Sequence, residues 1–364
     1  MRFGKLLLLM TMLFAVLTSA LTGMAEGEII VVSLGDSYSS GEGVEPFYGQ
    51  DKPVIDKLAD QDWLAHRSEN SWPGQLRVPG LEGTLSQHRG VYAKNSDGNY
   101  TLVQEGNWFF VAASGARTWH LTQSKAVGVS LHEKRASFEA TLYLDPQLEI
   151  FDALAADGKR ADYVTLTLGG NDVGFANLVG AAIADGPLAG LLAPQQGENQ
   201  ESNMQQSLEA IWDVFYEADG QRNTIKDAYR AVAEAAGPQA AVIVAGYPTL
   251  ISEDGKGIVG GESARLLNEG AKRFNSELEA IVNELQNEGV NIHFVSVESE
   301  FAGHEAYASG KEYLNGVIFG AKSQDLSDST PISGYSMHPN LLGIQAYARC
   351  VQAKIDELEA AKGK

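Results

Sequence analysis

Five mostly apolar runs, rich in β-branched and aromatic side chains, recur along the chain. They are residues 28–34, 108–112, 163–168, 241–245 and 292–297. Mostly apolar runs of this length are typical of strands in a parallel sheet that is covered on both faces. We therefore predict five buried strands.

Apolar residues with helical spacing occupy stretches between and after these strands. These stretches are residues 149–156, 207–236, 262–287 and 339–361, and the second of them accommodates one or two helices. Pro339 opens the last stretch, where proline suits the first helical turn. Strands that alternate with helices predict a single doubly wound α/β domain, with helices on both faces of a mostly parallel sheet.

Two polar, turn-rich segments do not fit this alternation. They cover about residues 45–106 and 184–223, and the first contains weak strand signals at 91–92 and 100–102. We interpret both as insertions above the carboxyl ends of the strands, where open α/β sheets bind their ligands. Neither contains a linker that would divide the chain, so residues 26–364 are predicted to form one domain.

The N-terminus has the pattern of a secretory signal. Arg2 and Lys5 precede an apolar run over residues 6–17, and small residues follow up to Ala25. The run is shorter than the roughly 20 residues of a transmembrane helix. We predict that residues 1–25 are removed and that the mature protein is secreted without a stable membrane anchor; the alternative is an uncleaved anchor.

Charge and cysteine content narrow the function further. The chain of 364 residues has 27 Lys and Arg against 47 Asp and Glu, a formal net charge of −20. Phosphate backbones and anionic lipid surfaces repel such a protein, so nucleic-acid binding is not expected. Cys350 is the single cysteine, which excludes intramolecular disulfides, and its place in the last apolar stretch predicts a buried thiol. Histidine pairs with metal-ligand spacing and CxxC are absent, so no metal or cofactor is predicted.

The candidate nucleophile follows the first strand. There Gly35 and Asp36 precede Ser37, with Ser39 two residues later. A serine on a tight turn after a buried strand can present its hydroxyl beside the free N–H groups of a following helical turn. That arrangement suits a nucleophile, although Ser37 or Ser39 could equally cap the helix.

Two further turns could supply donors to an oxyanion. The third strand runs into Gly169-Gly170-Asn171-Asp172, where the Asn171 side-chain amide could donate. The second strand runs into Ala113-Ser114-Gly115-Ala116, where Gly115 could offer its backbone N–H. Either could also be an ordinary turn.

Activation of a serine hydroxyl at neutral pH calls for a histidine as general base. His338 stands at the predicted start of the last helix, after a loop that can carry it across the strand ends. His293 falls within a strand. The remaining histidines lie in polar surroundings without a supporting motif: His66, His88, His120, His132 and His304.

Together these four blocks resemble the SGNH hydrolases, also called the GDSL esterase and lipase family. The match places Ser37 in Gly-Asp-Ser-Tyr-Ser, Gly115 in Ala-Ser-Gly-Ala, Asn171 in Gly-Gly-Asn-Asp and His338 in Met-His-Pro-Asn. The longer run over residues 35–43 is similar to the secreted actinobacterial lipases and esterases of that family. The resemblance implies a three-layer α/β/α, flavodoxin-like fold with a mostly parallel five-stranded sheet.

The resemblance also implies a reaction and a set of roles. Ser37 would attack the ester with His338 as base, and the oxyanion would be held by the N–H groups of Ser37 and Gly115 and by Asn171. The chain would be a secreted, monomeric serine esterase or lipase acting on small-molecule, lipid or glycan esters. The alternatives are a non-catalytic binding domain and a carbohydrate O-deacetylase. Four aromatic side chains could stack on sugars or lie in the core: Trp63, Trp72, Tyr92 and Trp119.

The chain departs from the family pattern at the last block. The family places an aspartate three residues before the histidine, where it orients the imidazole, and here that position is Tyr335. A backbone carbonyl near residues 333–335 could accept the Nδ1–H of His338 instead. Asp325 or Asp328 could also reach it.

Overall fold

A computed structural model describes residues 28–133, 136–184, 203–254, 258–328 and 331–362. The predicted signal peptide and much of the second predicted insertion lie outside the described residues. Among the described residues, no helix combines the length and apolar character needed to cross a bilayer.

The strands follow the predicted runs closely and add others to them. In chain order they are β1 (Val31–Gly35), β2 (Arg89–Lys94), β3 (Tyr100–Gln104), β4 (Trp108–Phe110), β5 (Lys125–Glu133), β6 (Ala136–Leu144), β7 (Tyr163–Thr167), β8 (Ala241–Ala245) and β9 (Ile292–Val295).

The five predicted strands lie side by side in one sheet. They lie in the order β4-β1-β7-β8-β9 and every neighbouring pair is parallel. With the strands numbered by their order in the chain this is 2-1-3-4-5, the flavodoxin-like order. All residues of β1, β7 and β8 are buried, as their mostly apolar runs require. The predicted fold class is confirmed.

Two further strands on the β4 side enlarge the sheet beyond the five strands predicted. β2 pairs parallel to β4, and β3 pairs antiparallel to β2, so the described residues form a sheet of seven strands. Both strands come from the segment 45–106 and carry mostly exposed or half-buried side chains. An edge hairpin of this kind lacks the continuous apolar run that identifies a central strand, which explains its weak signal.

A separate hairpin, β5–β6, was not predicted from the sequence. Its inner side chains Val127 and Val129 pack on Trp63 and Leu64 in a second, smaller core. The backbone N–H of Ser130 donates to the carbonyl of residue 326, which attaches the hairpin to the loop before the last helix. The alternation of apolar residues at 127, 129 and 131 was the available signal.

The longer helices cover the sheet, and shorter ones follow the strand ends. In chain order the helices are α1 (Ser37–Ser40), α2 (Val54–Lys57), α3 (Gln61–Leu64), α4 (Trp72–Gln75), α5 (Glu149–Ala156), α6 (Phe175–Ala184), α7 (Asn203–Tyr216), α8 (Gln221–Ala236), α9 (Gly261–Asn287), α10 (Glu298–Phe301) and α11 (Leu341–Lys362). Short 3-10 turns occupy Leu85–His88 and Thr118–Leu121. Helices α6 to α9 pack on one another, whereas α11 packs on α4 and α10, as expected for helix layers on both faces.

Candidate active site

The loops that follow β1, β4 and β7 meet at a cavity of about 390 Å³. Ser37, Gly115, Asn171 and His338 all line it, although they come from four separate loops. β4, β1 and β7 are adjacent strands at the centre of the sheet. Parallel strands bring their carboxyl ends to one edge, which is why three distant turns share a single cavity.

Ser37 begins helix α1 directly after β1 and is 7% exposed. The backbone can turn this sharply because residue 35 is glycine. Gly35 has a φ of +113°, and a Cβ there would lie 2.2 Å from the carbonyl oxygen of Thr167. A side chain at position 35 would therefore displace β7 and disturb the turn that presents Ser37.

Asp36 stabilises the same turn through hydrogen bonds to its side chain. Its carboxylate accepts hydrogen bonds from the backbone N–H of Tyr38 at 3.1 Å, from Thr167 Oγ1 at 2.6 Å and from the Tyr247 hydroxyl at 2.5 Å. Burial raises the pKa of Asp36 to about 6. These bonds give Asp36 the role of N-cap for α1, which is consistent with its orienting the turn rather than reacting.

Asn171 and Gly115 belong to two turns that are bonded together. The Asn171 side chain donates to the carbonyl of Ala116 at 3.0 Å, and the neighbouring Asp172 accepts from the hydroxyl of Thr118 at 2.5 Å. Gly115 has a φ of +68°, in the left-handed region. The amide group of Asn171 keeps a second N–H that it can donate to a ligand.

We expect Asn171→Ala to lower kcat on p-nitrophenyl esters by on the order of 10² to 10³-fold with a smaller change in KM, as loss of an oxyanion donor does. Steady-state kinetics measure this. Asn177→Ala, in an exposed part of α6, is the matched control and should stay within about twofold of the wild type. An unchanged kcat in Asn171→Ala would contradict the assignment.

His338 presents one ring nitrogen to the cavity and the other to its own loop. Nδ1 lies 3.0 Å from the carbonyl oxygen of Ser336, so a proton on Nδ1 leaves the lone pair on Nε2. Nε2 is buried and has no hydrogen-bond partner among the residues that the structure describes. The ring packs against that of Tyr38, with centroids 5.0 Å apart. Burial lowers the pKa of His338 below its usual 6.5, which favours the neutral form that can act as a base.

The structure also answers what replaces the missing aspartate. The acceptor of the Nδ1 bond is the carbonyl of Ser336, next to the predicted segment 333–335, and the carbonyl of Gly334 within that segment also raises the pKa of His338. The hydroxyl of Tyr335 donates to Glu45 at 2.9 Å. Asp325 accepts from Ser333 Oγ at 2.8 Å, and Asp328 lies 2.8 Å from an exposed histidine, so neither carboxylate bonds to His338.

Sequence reasoning overlooked a buried ion pair close to this loop. His66, which was expected in polar surroundings, is 4% exposed and stacks on Phe47 with ring centroids 4.7 Å apart. Its Nδ1 lies 2.7 Å from the carboxylate of Glu42, which is 1% exposed. A glutamate between two glycines, Gly41 and Gly43, five residues after the candidate nucleophile was the available signal.

The remaining candidates for nucleophile and base lie outside the cavity. Cys350 is half-buried in α11, and burial raises the pKa of its thiol to about 11, which suppresses the reactive thiolate. The cavity lining does not include five histidines: His88, His120, His132, His293 and His304.

Comparisons with known proteins give a consistent picture. The sequence model of the GDSL-like lipase/acylhydrolase family matches residues 31–343. An extracellular lipase from Streptomyces rimosus has a similar structure, with a TM-score of 0.55, 23% identity, and coverage of 89% of this chain and 99% of that one. Phospholipase A1 from Streptomyces albidoflavus NA297 also has a similar structure, with a TM-score of 0.52 and 19% identity. The match covers 90% of this chain and 100% of that one. At these identities the likeness shows a shared fold. No curated protein sequence matches the chain.

Proposed function

The chain belongs to the GDSL-like lipase/acylhydrolase family and is an ester-bond hydrolase, and on that premise we propose that it is a serine esterase with Ser37 as nucleophile and His338 as general base. One observation carries the proposal: Ser37, Gly115, Asn171 and His338 come from four loops and line the same cavity. The predicted chemistry needs these four groups together.

In the proposed reaction, Nε2 of His338 accepts the hydroxyl proton as Ser37 Oγ bonds to the ester carbonyl carbon. The carbonyl oxygen becomes an oxyanion that accepts hydrogen bonds from the N–H groups of Ser37 and Gly115 and from Asn171. The carbon–oxygen bond to the alcohol then breaks, and His338 protonates the departing alkoxide. Water, deprotonated by His338, releases the acyl group by the same steps in reverse order.

Covalent labelling tests the nucleophile. A fluorophosphonate probe should modify Ser37, as located by mass spectrometry of the labelled peptide, and the labelled protein should lose its esterase activity. The protein should also hydrolyse p-nitrophenyl esters from acetate to octanoate. A label on any other serine, or no hydrolysis of any ester, would contradict the proposal.

We propose that the acyl part of the substrate is an alkyl chain. Beside the reacting groups, the cavity wall is formed by apolar side chains: Phe175, Val179, Ile183, Leu250 and Ile332. Such a wall suits an acyl chain longer than acetate. Trp63 and Trp72, two of the aromatics that could have stacked on a sugar, are 2% and 0% exposed. These two lie in the core and cannot stack on a sugar, whereas Tyr92 is half-buried and Trp119 is 42% exposed.

Gly180 offers a way to shorten the acyl site. It lines the cavity from α6, and a Cβ at this position would meet no atom within 4 Å. We expect Gly180→Leu to lower the octanoate-to-acetate ratio of kcat/KM by about 10-fold or more, because the added side chain occupies space that several methylenes would fill. Acetate hydrolysis should change less than about threefold.

The matched control for Gly180→Leu is Gly128→Leu, an equally open glycine on the β5–β6 hairpin. It should leave the octanoate-to-acetate ratio unchanged, since it lies outside the cavity lining. An equal octanoate-to-acetate ratio in the two variants would mean that the acyl chain does not bind beside Gly180.

We further propose that residues 1–25 are a signal peptide and that residues 26–364 form a single exported domain that acts as a monomer. The basic start and apolar run over residues 6–17 support export, as does the extracellular lipase among the similar structures. N-terminal sequencing of the protein from the culture medium should begin at Glu26. Retention of the full-length chain in the membrane fraction would contradict export.

A further inference from the structure

The catalytic cycle proposed above requires His338 to carry a positive charge while it is buried. An imidazolium removed from water is costly unless a negative charge lies near it. The carbonyl of Ser336 supplies a hydrogen bond but no charge. The charge that balances His338 must therefore come from a group that does not touch its ring nitrogens.

Glu42 is placed to supply this charge. Its carboxylate lies against the loop that carries His338, because a Cβ on Gly334 would be 3.2 Å from Glu42 Oε1. The backbone next to it approaches the same loop, since a Cβ on Gly43 would be 3.2 Å from His338 Cβ. Glu42 is 1% exposed, so little water screens its field.

His66 keeps the carboxylate of Glu42 ionised. Burial alone would raise the pKa of Glu42, yet that pKa lies below its usual value because His66 contacts the carboxylate and Ser114 bonds to it. The pKa of His66 is in turn raised by Glu42, and Asp325 acts in the same direction. The two side chains thus form a buried ion pair, with the imidazole nitrogen 2.7 Å from the carboxylate.

We propose that Glu42 is a positioning and charge-balancing residue for His338: its carboxylate, held in place and ionised by His66, stabilises the imidazolium that forms during acyl transfer. Glu42 takes up no proton in this scheme, and the proton moves only between Ser37, His338 and the leaving alcohol. The inference rests on the proposed function of Ser37 and His338.

The groups around His338 give the sign of each expected effect. Burial lowers the pKa of His338 most, and Glu42 and the carbonyls of Gly334 and Ser336 raise it. His66 lowers the pKa of His338, but by less than Glu42 raises it. Tyr38 faces the ring from α1 as a neutral phenol.

A further cation faces Glu42 from the β5–β6 hairpin. Glu42 raises the pKa of Lys125, although burial lowers that pKa more. Removing the charge of Glu42 should therefore lower the pKa of His338, even though His66 then loses its partner and its own charge. Removing His66 should also lower the pKa of His338, because the buried Glu42 then takes up a proton and its contribution exceeds that of His66.

The test is the pH dependence of kcat/KM for p-nitrophenyl butyrate. Glu42→Gln should move the acid limb to lower pH by roughly one pH unit. The plateau of kcat/KM should fall about tenfold, because a decrease of one unit in the pKa of His338 is a tenfold decrease in its affinity for the proton. His66→Gln should move the acid limb in the same direction, because the buried Glu42 takes up a proton once its partner is gone. Glu42→Asp should restore much of the plateau. Glu45→Gln, a carboxylate on the same segment that bonds to Tyr335, is the matched control and should keep the wild-type profile.

Movement of the acid limb to lower pH in both variants distinguishes charge balance from loop support, which would lower the plateau without moving the limb. An unmoved acid limb in folded Glu42→Gln and in His66→Gln would overturn the inference. If thermal denaturation shows that Glu42→Gln does not fold, the His66→Gln variant tests the inference alone. A shift of its acid limb to lower pH supports the inference, and an unmoved limb overturns it. Failure of the proposed function is separate, because it would appear as full activity in Ser37→Ala.

Discussion

Ser37→Ala should lower kcat for p-nitrophenyl butyrate by on the order of 10⁴-fold or more. Without Oγ no acyl-enzyme forms, and only the slow attack of water on an ester held in the oxyanion site remains. Steady-state kinetics at neutral pH, together with loss of fluorophosphonate labelling, measure the effect. Activity within tenfold of the wild type would exclude Ser37 as the nucleophile.

The structure predicts that this loss has no contribution from unfolding. The Ser37 hydroxyl makes no hydrogen bond to another described side chain or backbone group, so its removal should leave the melting temperature nearly unchanged. Ser40→Ala is the matched control, because Ser40 is in the same helical turn and its hydroxyl donates only to the Ser37 carbonyl at 3.2 Å. It should retain activity within a few-fold of the wild type.

The elements that the sequence predicts well are those whose burial leaves a local pattern. β1, β7 and β8 are buried along their whole length, and their sequences are correspondingly mostly apolar. β2 and β3, at one side of the sheet, are stabilised by pairing with their neighbours rather than by burial of both faces, so their side chains show little hydrophobic pattern. The strand order could not be predicted from these runs, but the resemblance to a flavodoxin-like family supplied it.

The residues of the site also differ in how far the local sequence predicts their position. Ser37 and Asn171 follow buried strands directly, so local sequence places them at one sheet edge. Glu42 and His66 are separated by 24 positions in the sequence. They meet only because the chain between them folds back on itself. No periodicity reports such a contact, which depends on the tertiary packing of segments that have no regular structure.

The replacement of the usual aspartate by Tyr335 is understandable from the same geometry. Tyr335 donates its hydroxyl to Glu45 at 2.9 Å and so supports the loop. Orientation of the imidazole falls to the Ser336 carbonyl, 3.0 Å from Nδ1. In the inference above, charge balance falls to Glu42. Functions that the family pattern assigns to one aspartate are thereby divided among separate groups.

His338→Asn should lower kcat on the same ester by on the order of 10⁴-fold, because among the described residues His338 is the one histidine that lines the cavity. The two residues act as a unit, so the double variant with Ser37→Ala should be no slower than either single variant. His88→Asn, a histidine outside the cavity, is the control and should leave kcat nearly unchanged. Additive losses in the double variant would contradict the shared role.

The pH profile of the wild type gives the same assignment without a substitution. His338 acts as a base only when it is neutral, and burial lowers its pKa below 6.5. We therefore expect kcat/KM to be constant around neutral pH and to fall only as the pH drops below 6.5, with the midpoint of that limb reporting the free enzyme. A midpoint above 6.5 would mean that the field of Glu42 outweighs burial, and its return below 6.5 in Glu42→Gln would identify the source.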